Sequence, residues 1–221
     1  MNLRKTSLAL TGLIALVATA TAISVSGSTA EASARANAAP VTKTELAFRN
    51  EMRKLWEDHI VWTRMAIVSL TSDTADTEAS VGRLLQNQTD IGDAVKPFYG
   101  DAAGTELTRL LREHITIAAE LIGAAKTGDE AGVAAAQAAW GANADAIAEF
   151  LQGANPRHWP LAELQAMLHD HLDLTTQEAV ARLQGDWAAD VAAYDEIHVQ
   201  ALHMADMLSV GIVKQFPRRF R

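Results

Sequence analysis

The stretch LWEDHI, Leu55–Ile60, places a histidine where an amphipathic helix asks for an apolar side chain. The chain writes the pattern twice more, as LLREHI (Leu110–Ile115) and MLHDHL (Met167–Leu172). Each time an apolar pair precedes a variable residue, an acid, a histidine and Ile or Leu. His59 and His114 are 55 residues apart, and His114 and His171 are 57 apart. Self-similarity at this period marks one supersecondary unit copied three times.

Each copy continues alike. The second unit passes through Gly128-Asp129 and the third through Gly185-Asp186. Glycine takes the left-handed backbone that ends one helix, and aspartate accepts the free N–H groups that open the next. The matching break in the first unit, Thr71–Thr77, is longer and more polar. Beyond each break an amide recurs: Asn87 lies 28 residues after His59, Asn143 29 after His114, and Gln200 29 after His171. Alanine-rich runs and only five prolines favour helix throughout. The expected fold is all-α, a six-helix up-down bundle of three tandem hairpins over about 51–97, 105–155 and 160–217, within a domain spanning 44–217.

The N-terminus reads as a targeting segment. Arg4 and Lys5 precede the uncharged apolar stretch 8–23, and Ala32-Ser33-Ala34 fits a small-x-small cleavage site. A cleaved signal peptide over 1–34 and a loose linker over 35–43 are therefore expected, with no membrane span in the mature chain. Cysteine is absent, so stability must come from a packed core. The formal charge of −8 repels phosphate backbones and argues against nucleic acid as a partner.

Residues three and four apart share a helix face. His59 has Leu55, Trp56, Trp62 and Thr63 at those offsets; His114 has Leu110, Leu111, Ile117 and Ala118; His171 has Met167, Leu168, Leu174 and Thr175. All three rings thus belong to core-facing stripes, and Asn87, Asn143 and Gln200 fall on or beside theirs. Unpaired buried imidazoles and amides cost about 1–3 kcal/mol each, so they must bond to one another, to water or to a ligand. One reading is a polar layer that only fixes helix order. The other is a site, with His59, His114 and His171 as metal ligands and the three amides as cofactor-binding groups. An all-nitrogen set with an open position suits zinc or copper better than a carboxylate-bridged iron pair.

Other features weigh less. Asp195 with His198, His203 with Asp206, and His169 with Asp173 have helical spacing and read as solvated pairs. Arg64 reads as a side chain extending its charge to the surface. No glycine-rich phosphate loop, His-Glu-x-x-His or Ser-His-acid arrangement appears, so nucleophilic or nucleotide-dependent catalysis has no support, and a hydrolytic or redox enzyme would have to use an open metal site at the three histidines.

The stretches LWEDHIVWTR (55–64) and LLQNQTDIGDAVKPFYG (84–100) resemble a group of small exported helical proteins of soil bacteria. The resemblance implies export and an all-helical domain, and it assigns no activity and no catalytic residue. The expected function is an exported, non-catalytic binding protein holding a metal ion or small ligand in the His/amide layer. The alternative is a structural or interaction module, with a cell-envelope partner and a purely structural layer.

Overall fold

The computed structural model describes residues 40–221. The expected signal peptide and residues 35–39 of the expected linker lie outside the described residues. Six helices follow in chain order: α1 (Lys43–Ser72), α2 (Thr77–Tyr99), α3 (Asp101–Thr127), α4 (Glu130–Ala154), α5 (Leu161–Gln184) and α6 (Trp187–Gln215). A 3₁₀ turn, Pro217–Phe220, ends the chain, and no strand occurs among the described residues. The all-α class expected from the sequence is the observed one.

Local chemistry sets the helix ends. The Thr42 hydroxyl accepts from Glu45 N at 3.1 Å and opens α1. Gly128 and Gly185 close α3 and α5 at φ 73° and 72°, where an L side chain is disfavoured. Asp129 and Asp186 then accept from Gly132 N at 3.0 Å and Ala189 N at 3.1 Å to open α4 and α6. At the first hairpin Asp73 takes the left-handed conformation instead, at φ 52°. Aspartate tolerates it better than most residues, and Lys126 pairs with its carboxylate while donating to Leu70 O at 2.9 Å. α2 runs two residues beyond Pro97, because a proline in the last turn costs little further helix bonding.

Each helix packs on the next, and α6 packs back along α1, so the three hairpins form a closed ring. Across the middle, α1 also touches α3 and α5. One apolar core runs through the ring, with Ile91, Ile147, Leu164 and Ile212 essentially inaccessible. Burying each such side chain stabilises by about 1.5–3 kcal/mol. Helices α2 and α3 come into backbone proximity at a glycine pair: a Cβ on Gly92 would lie 2.6 Å from Gly104 O. At the end away from the hairpin turns, Phe48, Phe98, Phe216 and Phe220 form an aromatic plug, tied down by Thr42 Oγ1 donating to Phe220 O.

Candidate functional site

The first helices of the hairpins, α1, α3 and α5, bring His59, His114 and His171 together near mid-bundle, all three buried. The His171 ring is the middle one, with centroids 5.9 Å from His59 and 6.2 Å from His114. The imidazoles therefore cluster inside the ring. Trp56 meets His59 edge-on at 5.6 Å, and Trp140 lies against His114 at 5.2 Å.

The amides hold the rings by a repeated device. Asn143 Nδ2 donates to Leu110 O at 3.1 Å, and Gln200 Nε2 donates to Met167 O at 2.9 Å. Each carbonyl lies four residues before the histidine. With the NH₂ group committed to the carbonyl, the amide oxygen must face the ring: Asn143 Oδ1 is 2.9 Å from His114 Nδ1, and Gln200 Oε1 is 3.1 Å from His171 Nδ1. An oxygen there requires a proton on Nδ1. Both rings are thus fixed as Nδ1–H tautomers, and Nε2 carries the lone pair. No protein group among the described residues hydrogen-bonds to Nε2 of either ring.

The first unit keeps half of this device. Asn87 Nδ2 donates to Leu55 O at 3.0 Å, again four residues before the histidine. The hydrogen-bond partner of His59 Nδ1, however, is Gln88 Nε2, at 3.2 Å. That nitrogen already donates to Leu84 O at 2.8 Å and Asn87 Oδ1 at 3.1 Å. Gln88 Oε1 is buried without a partner. The sequence singled out Asn87; the ring sits against an Asn87–Gln88 pair, and Gln88 was missed.

Burial pushes all three imidazoles below the ordinary histidine range. Neighbouring rings lower His59 and His114 further, while amide hydrogen bonds oppose the shift only in part. His114 falls to about 3. The layer is therefore neutral at physiological pH.

Cavities lie on both sides of this layer. The larger, about 90 Å³, runs from the three rings toward the hairpin turns, reaching Leu70, Ala125 and Leu183. The smaller, about 40 Å³, runs the other way toward Met52 and Leu151. Neither is lined by Asp, Glu, Lys or Arg. On the larger cavity's walls Trp140 Nε1 and Thr63 Oγ1 also lack protein partners. Among the described residues, no group of three or more His, Cys, Asp or Glu side chains is placed to hold a metal ion. The His114 and His171 planes differ by 29° at a centroid separation of 6.2 Å, so these rings lie nearly parallel.

The pairs read locally in the sequence sit elsewhere. His169 Nε2 meets Asp145 Oδ1 at 3.0 Å, His198 Nε2 lies 3.4 Å from Glu57, and Arg53 pairs with Asp206 at 3.2 Å. Arg64 departs from the surface reading. It donates to Glu178 Oε1 at 2.7 Å and grips Asp190 with both terminal nitrogens, while Arg182 Nη1 reaches Asp190 Oδ2 at 3.1 Å. Glu178 and Asp190 are each 1% exposed. Burial pushes the Glu178 carboxyl up; it acts the same way on Asp190, which the two guanidinium groups nevertheless hold below the usual carboxylate range. This charge-balanced quartet clamps α5 and α6 onto α1.

No family model, no curated protein and no solved structure matches this chain. Among the described residues, no helix is long and apolar enough to cross a membrane.

Proposed function

We propose that the chain is an exported, non-catalytic binding protein that holds a small ligand against the layer of His59, His114 and His171. One observation carries the reading: His114 and His171 are locked by Asn143 and Gln200 so that Nε2 is a bare acceptor, and both rings line a cavity. A layer serving only folding has no need to leave these acceptors without a hydrogen bond on rings that border a cavity. Among the described residues no group of three or more His, Cys, Asp or Glu side chains is placed to hold an ion, which favours a small ligand over zinc or copper. No nucleophile–base pair or charged group stands on the cavity wall, so binding without turnover fits best.

The same hydrogen bonds tie the two helices of a hairpin together, Asn143 to Leu110 and Gln200 to Met167. That favours the second reading, a structural or interaction module. Its partner would meet the outer face, where Trp187 and Val191 are exposed.

Native mass spectrometry and elemental analysis of protein purified without chelators separate the two. A small molecule released on denaturation, at about one per chain, supports the binding reading. Zinc or copper at that ratio would support binding with a different ligand. A chain that never carries more than water, and gains no thermal stability from any added ligand, leaves the module reading.

A further inference from the structure

The polar inventory of the larger cavity narrows its ligand. His114 and His171 present lone pairs, each ring being 4% exposed and fixed as an Nδ1–H tautomer. The wall carries no Lys, Arg, Asp or Glu. The unpartnered donors there are the indole N–H of Trp140 and the hydroxyl of Thr63. A carboxylate or phosphate would face two lone pairs with no cation to balance it. A full positive charge would leave water with no anion to receive it. Both are disfavoured by desolvation. A hydrocarbon would enter the apolar part but leave the Nε2 acceptors without a hydrogen bond. A hydroxyl or neutral N–H satisfies one of them directly.

Size narrows it further. An apolar cavity of about 150 Å³ takes up benzene, and about 90 Å³ here adjoins an outer end formed by Val180 and Gln137, both exposed. The enclosed space suits a short branched chain, and a six-membered ring fits only by extending into that outer end.

We infer that the ligand is a small uncharged molecule with an apolar body and a single O–H or N–H donor, the donor on Nε2 of His114 or His171 and the body directed toward the hairpin turns. This inference rests on the binding reading above. It makes the Asn143 and Gln200 tautomer locks specificity determinants: by placing the proton on Nδ1, they make the pocket accept donors.

The test compares phenol, toluene and benzoate on the intact wild-type chain by calorimetry, with ¹⁵N spectra of the imidazoles as a second readout. Phenol and toluene differ mainly in the donor; benzoate carries the charge. Phenol is expected to bind about tenfold tighter than toluene, to shift Nε2 of His114 or His171, and to leave the surface rings of His169 and His203 unmoved. Benzoate is expected not to bind. Toluene binding as tightly as phenol, benzoate binding at all, or phenol failing to bind would each overturn the inference. Should phenol fail while the purified protein carries another molecule, the donor class falls and the binding reading stands. Should the protein carry nothing and no compound bind, both fall.

Discussion

Asn143 holds His114 and the helix turn beneath it with one side chain: Nδ2 donates to Leu110 O at 3.1 Å while Oδ1 accepts from His114 Nδ1 at 2.9 Å. Gln200 does the same for His171 and Met167. A longer side chain on α6 thus reproduces what a shorter one does on α4. The tautomer of each ring is a consequence of which helix carbonyl the amide has taken.

Removing this grip should be costly. Asn143→Leu keeps the volume apolar but strands His114 Nδ1–H in the core. A loss of about 1–3 kcal/mol is expected from urea unfolding. Unchanged stability would mean the amide contributes no net hydrogen bonding.

The buried rings predict a pH dependence. Their folded-state values lie below the ordinary one, so unfolding below about pH 6.5 takes up protons. Stability is therefore full above the ordinary histidine range and is lost as pH falls through it, down to about 3 for His114. Between pH 7.5 and 5.5 His114 should contribute a loss of about 1.4 kcal/mol. His114→Gln, which cannot titrate, should lose about that much less over the same interval than the parent. Equal losses would show that His114 is not held neutral.

Two glycines make opposite predictions. A Cβ on Gly211 would lie 2.0 Å from the Trp159 indole nitrogen, and Trp159 is fully buried. Gly211→Ala should cost about 1–3 kcal/mol by overpacking. Gly82, within α2, has nothing within 4 Å of its Cβ position. Gly82→Ala should stabilise by about 0.5–1 kcal/mol through helix propensity alone. Thermal melts of the two variants against the parent check both signs.

Arg64 joins α1 to two buried acids. Arg64→Met should cost about 3–5 kcal/mol, since it leaves Glu178 without its hydrogen-bonded cation and Asp190 with Arg182 alone. Arg64→Lys should lose less, because the charge remains and only the two-pronged contact is gone. If Arg64→Met unfolds like the parent, the quartet does not clamp the ring.

Much of this was readable from residue order because the information is local. The helix breaks show as Gly128-Asp129 and Gly185-Asp186, and the inward rings show as apolar residues at three and four positions on either side. The amide pairing was legible too, because three copies at nearly constant spacing made a polar residue recur where packing alone would not require one. Gln88 was not legible: it stands beside Asn87 in LLQNQ, and face arithmetic cannot say which neighbouring amide reaches a ring on another helix. Nor was the quartet, whose two acids lie 114 and 126 residues from Arg64. A partial signal existed at Glu178, which has Leu174 and Ala181 on its face and so sits where an apolar side chain belongs.

The central claim concerns two protons, and ¹⁵N spectra of the histidine side chains observe them directly. At pH 7.5 both His114 and His171 should be neutral, with Nδ1 protonated and Nε2 bare, and His114 should remain so down to pH 5. A proton on Nε2 of either ring at pH 7.5, or on Nε2 of His114 anywhere in that range, would contradict the account.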